Sequence, residues 1–412
     1  MKTNVKFNVF VLMAERILQL GGALFVSGVI ARYLSVPEFG QWQFSLQILA
    51  YAGTIGLICG AEIVLPKIAK GNVNKVIINA FILRLLFGFI ALIISTATVY
   101  FININYNVKI FSAILFVTLI INEPFAIFSC YLQSKTNNFP LSLVRVISVS
   151  LRVGIIIFVC ILNLNMYFFA VAWVVESIVT GLGYLFCFMK FKDENVFFNI
   201  KLIDFSFMKS LATQGGLFLF GQFFLMTALR LDRIFVTKYA NGDFVGNYMA
   251  VTQLLDSIFQ FAIIINTVFI TSFIYNKAKI KSNDLKELFK LSLIYIFISV
   301  IGSIVLYYLS DYIIYIIYGD KYKISANLLK DISFIIPFYT LNILFSSLIF
   351  KYSKYFQYLI VNIIVSIFVG CYVYFQVGVN NYTYLIFTPY VYTISSLVFS
   401  FIIIVRIKGE EK

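Results

Sequence analysis

The sequence F-G-F-I-A-L-I-I-S-T-A-T-V-Y at residues 87–100 indicates the fold class, because it has no charged residue and no alternation of polar and apolar positions. The sequence I-Y-I-F-I-S-V-I-G-S-I-V-L at residues 294–306 has the same character. A transmembrane β-strand alternates apolar and polar side chains. A helix of about 20 mostly apolar residues is long enough to cross the hydrocarbon core of a bilayer. Both stretches therefore predict membrane-spanning α-helices.

The composition of the whole chain agrees with an integral membrane protein. Of 412 residues, 61% are hydrophobic and 12% are charged, whereas a soluble domain carries about 25% charged residues. The net charge of +14 lies largely in short loops, which argues against a basic nucleic-acid-binding face. The first hydrophobic segment contains Glu15 and Arg16 and lacks a small-residue cleavage site. We expect it to be a retained first span.

The apolar runs predict an all-α integral membrane protein with about twelve transmembrane helices and short loops. We expect spans at 10–33, 40–65, 76–101, 109–133, 142–163, 167–189, 210–238, 245–275, 288–309, 326–350, 356–377 and 382–406. The spans group into two six-helix lobes, 1–190 and 210–412, joined by a charged cytoplasmic linker at 191–209.

The distribution of basic residues predicts the orientation. Twenty of the 32 Lys and Arg residues fall in the loops and tails on one side of this layout, six fall on the other side, and six lie within spans. Basic residues accumulate on the cytoplasmic side of membrane proteins. We therefore expect both termini in the cytoplasm.

A shift of 206 residues aligns the sequence with itself at the junctions of spans 1–2 and 7–8. Arg32–Tyr33 aligns with Lys238–Tyr239, and Gly40 aligns with Gly246. Such a repeat predicts two halves of one orientation, related by a pseudo-two-fold axis along the membrane normal, with the substrate between them. The alternative is a helix–turn–helix corner that happens to recur, in which both glycines permit tight turns.

Charged residues inside predicted spans are the candidate functional residues, because each costs on the order of 3 kcal/mol at the bilayer centre. For binding an anionic head group the candidates are Arg84, Arg145 and Arg152. For coupling to a proton or sodium ion the candidates are Glu123, Glu176 and Asp256.

Spacing places several of these residues on common faces. Arg145, Ser148 and Arg152 follow a helical period, and Arg152 and Glu176 both fall near the midplane on consecutive spans. The functional interpretation is a hydrophilic central cavity. The structural alternative is that Arg152–Glu176 and Arg230–Asp232 are ion pairs that hold helices together.

Three prolines lie within predicted spans: Pro124, Pro337 and Pro389. Each removes a backbone donor and can kink its helix.

The sequence lacks the motifs of the main enzyme classes. It has no histidine, and its five cysteines all lie in apolar runs, which is typical of small buried side chains. We find no phosphate-binding glycine loop, metal motif or nucleophile arrangement. We therefore expect no enzymatic activity, no cofactor and no metal site.

Three segments, in this order and spacing, resemble a transporter family. They are R-Y-L-S-V-P-E-F-G at 32–40, R-L-D-R-I-F-V at 230–236 followed by G-N-Y at 246–248, and Y-G-D-K-Y at 318–322 leading to A-N-L-L at 326–329. Together they resemble the Wzx-type O-antigen and polysaccharide flippases of the multidrug/oligosaccharidyl-lipid/polysaccharide (MOP) exporter superfamily. The residues that match the family motif are Arg230, Asp232 and Arg233.

The resemblance implies two six-helix lobes, alternating access and a location in the bacterial inner membrane. The implied substrate is an O-antigen or capsule repeat unit on undecaprenyl pyrophosphate, used in lipopolysaccharide or other polysaccharide biosynthesis. A polysaccharide polymerase and chain-length machinery are implied as partners, and nucleic acid is not. The alternatives are a drug or cation antiporter of the same superfamily, a peptidoglycan lipid flippase, and a membrane polysaccharide polymerase.

Overall fold

The structure is a computed structural model that describes residues 5–69, 71, 73–102, 104–270, 282–351 and 355–410. These residues form helices and connecting turns and contain no β-strand. The α-helices are, in chain order, α1 (Val5–Tyr33), α2 (Val36–Gly56), α3 (Ala61–Ala69), α4 (Val73–Phe101), α5 (Tyr106–Phe116), α6 (Asn122–Ser134), α7 (Phe139–Ile161), α8 (Phe168–Phe191), α9 (Phe205–Tyr239), α10 (Gly242–Ile270), α11 (Ser282–Tyr318), α12 (Lys323–Ile332), α13 (Ile335–Lys351), α14 (Tyr355–Gly378) and α15 (Thr388–Glu410).

The helices confirm the predicted class of an all-α multi-pass membrane protein. Within the described residues, 10 helical segments are long and apolar enough to cross a membrane, and the bent pair α12–α13 brings the number to 11. The remaining predicted span, 40–65, is divided between α2 and α3 and is not among these segments. Helix α2 still has 21 residues, enough to cross the hydrocarbon core. The predicted end of the eighth span, 271–275, lies outside the described residues.

The three prolines within predicted spans begin helices and do not kink continuous ones. Pro124, Pro337 and Pro389 lie in the first turns of α6, α13 and α15. This position suits proline, because the first-turn N–H has no intrahelical partner and the φ of proline is already helical. At α12–α13 the direction of the chain changes by 58°. The predicted kinks are therefore breaks between separate helices.

The chain divides into two compact units, and two of the boundaries between them fall inside helices, in α2 and in α9. The first unit comprises Met1–Leu34 and Gln41–Phe223, and the second comprises Ser35–Gly40 and Phe224–Lys412. The predicted linker 191–209 packs on the first unit, where Asn74 and Asn79 donate hydrogen bonds to the carbonyls of Asn195 and Leu202. The residue boundaries of the two six-helix lobes stay a prediction.

Each unit has its own aromatic core. In the first unit, the fully buried Trp42 of α2 packs edge-on against Phe111 of α5 and Trp173 of α8, with ring centroids 5.2 Å and 5.0 Å apart. In the second unit, Phe39 packs against Tyr318 and Tyr322 at 5.9 Å and 5.6 Å. The first turn of α2 is thus part of the core of the second unit.

The aligned glycines of the 206-residue repeat contact each other within the second unit. A Cβ atom added to Gly40 would lie 3.0 Å from the backbone N of Gly246, and one added to Gly246 would lie 2.0 Å from the carbonyl O of Val36. Both glycines lie inside helices, α2 and α10, and not in turns. Glycine is therefore required here by a close helix crossing, and the tight-turn explanation is wrong.

Candidate functional site

A line of polar side chains runs between α7 and α8 in the first unit. The α7 members recur every three or four residues, so they share one face of that helix. The α8 members face them, and one residue of α1 joins at the end nearest the start of α7. We define this line as the polar seam, which consists of Glu15, Ser142, Arg145, Ser148, Arg152, Glu176, Thr180 and Tyr184.

At one end of the polar seam, Arg145 pairs with a buried carboxylate of α1. The Arg145 Nη1 lies 2.6 Å from Glu15 Oε1, and the Arg145 Nε donates to the Tyr184 hydroxyl. Ser142 donates to the second oxygen of Glu15, and Gln19 donates to the first at 3.2 Å. Glu15 therefore receives three donors, as a buried carboxylate requires.

Farther along the polar seam, Arg152 pairs with Glu176. The Arg152 Nη1 lies 2.6 Å from Glu176 Oε2, and its guanidinium stacks over the Trp173 ring at 4.5 Å from the centroid. The Arg152 Nε is buried and makes no hydrogen bond. Thr180 donates to Ser148 at 2.8 Å and closes the gap between the two ion pairs. Each seam arginine thus has one carboxylate and one aromatic ring as neighbours.

Arg84 lies apart from the polar seam, and its N–H groups donate to backbone carbonyls at two helix breaks. Its Nε donates to the carbonyl O of Cys59 at 2.9 Å, in the break between α2 and α3. Its Nη1 donates to the carbonyl O of Glu123 at 2.9 Å and lies 3.4 Å from the Glu123 carboxylate. Gly215 of α9 packs on the same break, since a Cβ there would lie 1.5 Å from the carbonyl O of Ile58. Arg84 of α4 therefore bonds to the break between α2 and α3 and to the start of α6.

The charged residues of the second unit gather on α9 and α10. Both Nη atoms of Arg233 donate to Asp256 at 2.7 Å, and Arg230 Nη2 lies 3.4 Å from the same carboxylate. The Asp232 carboxyl instead contacts the Tyr248 hydroxyl. The predicted Arg230–Asp232 pair is therefore wrong. Residues two apart in a helix do not face each other, whereas residues three apart, such as Arg230 and Arg233, do.

All three predicted ion-coupling acids contact predicted arginines. Glu123 contacts Arg84, Glu176 contacts Arg152, and Asp256 contacts Arg230 and Arg233. Of the predicted binding arginines, Arg145 and Arg152 share the polar seam. Their roles in binding and coupling stay predictions. The sequence alone indicates no role for Glu15, Tyr184, Trp173 or Tyr248.

Buried ion pairs within a bundle of membrane-spanning helices are typical of transporters and ion pathways. The comparisons with known proteins agree with this class. The model of the family described as "Polysaccharide biosynthesis protein" matches residues 5–273, and the chain belongs to this family. No curated protein sequence matches the chain.

Solved structures of the MOP superfamily share the fold. An inward-facing multidrug resistance MATE family transporter of that superfamily matches with a TM-score of 0.74 and 13% identity, over 96% of this chain and 99% of its own. The eukaryotic MATE transporter AtDTX14 matches with a TM-score of 0.71 and 12% identity, over 97% of this chain and 95% of its own. The lipid II flippase MurJ, in an inward closed conformation, matches with a TM-score of 0.69 and 16% identity, over 98% of this chain and 87% of its own. The predicted resemblance to a polysaccharide biosynthesis family is confirmed by the family match, and these structures show that the chain shares their fold.

Proposed function

We propose that the protein flips a lipid-linked oligosaccharide, an O-antigen or capsule repeat unit on undecaprenyl pyrophosphate, from the inner to the outer leaflet of the bacterial cytoplasmic membrane. The polar seam carries the proposal, because it places two guanidinium groups within membrane spans of a polysaccharide biosynthesis family member. A flippase for lipid II has the same fold, which supports the substrate class. The predicted orientation, with both termini in the cytoplasm, sets the direction.

The seam arginines fit a pyrophosphate better than a cationic cargo. Guanidinium groups form paired, charge-assisted hydrogen bonds with phosphate oxygens. Arg145 and Arg152 keep 19% and 10% of their side chains exposed, whereas Arg84 keeps 3%. Arg84 is also held by two backbone carbonyls. The exchangeable binding groups are therefore Arg145 and Arg152.

Partner exchange links substrate binding to an ion. Each seam arginine is neutralised by a carboxylate, Glu15 or Glu176. A proton on Glu176 removes that negative charge and frees the Arg152 guanidinium for the pyrophosphate. Return of the proton to water restores the ion pair and expels the anion. Arg84–Glu123 and Arg233–Asp256 are ion pairs of the same kind, so Glu123 and Asp256 stay coupling candidates.

The test is flipping of a fluorescent undecaprenyl-pyrophosphate oligosaccharide in liposomes that contain the purified protein, with and without a proton gradient. We expect the label to become protected from a membrane-impermeant quencher, and faster with the gradient. Absence of flipping with several sugar head groups, together with gradient-driven uptake of small organic cations, would assign the protein to drug or cation antiport.

A pair of variants separates substrate binding by Arg152 from a structural role. Arg152→Gln alone leaves Glu176 as an unpaired carboxylate, which by itself destabilises the fold. The double variant Arg152→Gln/Glu176→Gln keeps a neutral hydrogen-bonded pair. If Arg152 binds the pyrophosphate, the double variant regains thermal stability but not flipping. If flipping returns with stability, Arg152 is a structural residue. Lys330→Gln, which breaks an exposed ion pair with Asp311, is the matched control.

A further inference from the structure

Three oxygen atoms lie in series inside the second unit. The Asp232 Oδ2 contacts the Tyr248 hydroxyl oxygen, and the same hydroxyl lies 3.0 Å from the carbonyl O of Leu385. Asp232 lies on α9, Tyr248 on α10, and Leu385 in the 3₁₀ helix Tyr382–Phe387 before α15. Asp232 and Tyr248 are 1% and 0% exposed, so the series is buried.

The number of hydrogens in this series fixes the protonation of the carboxyl. The series has two oxygen–oxygen contacts, and each needs one hydrogen. The tyrosine supplies one hydrogen, and the Leu385 carbonyl supplies none, because a carbonyl only accepts. When Tyr248 donates to Leu385, the contact with Asp232 requires an O–H on the carboxyl. Only a protonated Asp232 fills both contacts.

The surroundings of Asp232 agree with a neutral carboxyl. Its Oδ1 is buried and makes no hydrogen bond, and an ionised oxygen in that state is costly. The guanidinium of Arg233, the next residue on α9, donates both Nη groups to Asp256 of α10. Arg230 of α9 also lies against Asp256. Among the described residues, no Lys or Arg nitrogen forms an ion pair with the Asp232 carboxyl oxygens.

The same surroundings allow the proton to leave. The charged groups facing this position from α9 and α10 are Arg230, Arg233 and Asp256, which together carry one excess positive charge. Loss of the Asp232 proton would balance that charge. From α14, the hydroxyl of Tyr372 approaches this end of the unit, and it donates to the carbonyl O of Tyr384 at 2.7 Å.

We infer that Asp232 is a proton-binding site, and that its proton controls whether Tyr248 donates its hydrogen to the segment before α15 or to Asp232 of α9. With the proton bound, Asp232 donates to Tyr248 and Tyr248 donates to Leu385. When the proton leaves to water, the Tyr248 hydrogen turns to the carboxylate and its bond to Leu385 breaks. The Leu385 carbonyl keeps the hydroxyl of Thr388 as a donor at 2.7 Å, so the change leaves no buried carbonyl unsatisfied.

This site differs from the predicted coupling acids, each of which forms an ion pair with an arginine. A role for the Asp232 proton in driving transport rests on the proposed flippase function. The protonation itself does not, and the experiment has one arm for each.

The first arm is infrared spectroscopy of the purified full-length protein at neutral pH. A protonated carboxyl has a carbonyl stretch separate from the carboxylate bands. We expect Asp232→Asn to remove one such band and the control variant Asp311→Asn, at an exposed carboxylate that pairs with Lys330, to keep it. Tyr248→Phe should shift the band, because it removes the acceptor of the carboxyl hydrogen. If Asp232→Asn cannot be purified, an unshifted band in Tyr248→Phe overturns the inference. An unchanged spectrum in Asp232→Asn also overturns the inference.

The second arm measures flipping in liposomes with and without a proton gradient. We expect the acceleration by the gradient to be lost in Asp232→Asn, which imitates the protonated state permanently. Full acceleration in that variant, beside a missing infrared band, would overturn the role of Asp232 in coupling but not its protonation. A wild-type protein that flips no lipid-linked oligosaccharide would refute the proposed function and leave the infrared result standing.

Discussion

The two units bury polar groups in different ways. In the first unit, described ion pairs join α1 to α7, α7 to α8, and α4 to α6. In the described part of the second unit, the buried ion pairs join α9 and α10. Buried contacts between its other described helices are made by neutral groups, such as Asn266 with Ser347 at 3.1 Å and Asn342 with Ser396 at 2.8 Å, beside the exposed Lys330–Asp311 ion pair.

This difference separates groups that can bind a ligand from groups that only hold helices together. A guanidinium–carboxylate pair can exchange its partner for an ionic ligand or a proton, because both members carry charge. A neutral amide–hydroxyl pair between membrane helices contributes on the order of 0.6 kcal/mol and has no charge to exchange. The first unit therefore has the chemistry to bind an anionic head group at several places, whereas the described part of the second unit confines its buried ion pairs to α9–α10.

The largest effect should follow removal of Arg84. Arg84→Ala leaves two buried carbonyls without a guanidinium donor and the Glu123 carboxylate without its ion pair. We expect a loss of about 3–5 kcal/mol of stability. The measurement is the fraction of monodisperse protein left after heating in detergent. Lys330→Ala, which breaks an exposed ion pair of the second unit, should change stability by less than about 1 kcal/mol. Equal losses would contradict the comparison.

A graded effect is expected at the glycine crossings. Gly215→Ala forces a Cβ to 1.5 Å from the carbonyl O of Ile58, and Gly246→Ala forces one to 2.0 Å from that of Val36. Overpacking of this kind costs about 1–3 kcal/mol or more, so we expect Gly215→Ala to lower the melting temperature most. Gly302→Ala, which meets no atom within 4 Å, should be neutral or gain up to about 1 kcal/mol from helix propensity.

A small effect is expected at the neutral pairs of the second unit. Asn342→Ala should cost about 1 kcal/mol, because Ser396 loses its acceptor. A double-mutant cycle with Ser396→Ala should give a coupling energy near ~0.6 kcal/mol. A coupling energy as large as that of the Arg152–Glu176 pair would show that the two units do not differ in this respect.

The smallest effect is expected at the exposed ion pairs of the segment 192–204. Hydrogen bonds from Lys135 and Lys75 lower the pKa of Asp193 and Asp204 below the usual value of about 4. A lowered pKa stabilises the fold above the unfolded pKa, and this contribution is lost as the pH falls through the folded pKa. We therefore expect faster hydrogen exchange in 192–204 below about pH 4, with no change around neutral pH. Lys135→Gln should remove part of this acid dependence.

The fold could be predicted from the sequence because hydropathy and helical spacing are local properties. The spans and the common face of Arg145 and Arg152 follow from spacing along one helix, whereas the prolines predicted kinks at places where the structure has breaks between helices. The contact of Arg152 with Glu176 could also be predicted, since the two residues lie at similar depth on consecutive helices.

The rest of the candidate site depends on which helices are neighbours, and this information is not local. Arg145 meets Glu15, which precedes it by 130 residues, only because α1 packs against α7. Asp232 was considered as a partner of Arg230, although residues two apart point to different sides of a helix. Its actual partner, Tyr248, was read only as part of a family motif.

The contacts of the segment 192–204 also bear on the order of events during synthesis. Asn74, Lys75, Asn79 and Lys135, which hold this segment, all precede it in the chain. These contacts can therefore form once residue 204 has left the ribosome, before α9 is inserted into the membrane. Because N-terminal parts of a chain generally fold first during translation, the side of the first unit that the segment 192–204 covers can be assembled while the ribosome is still making the second unit.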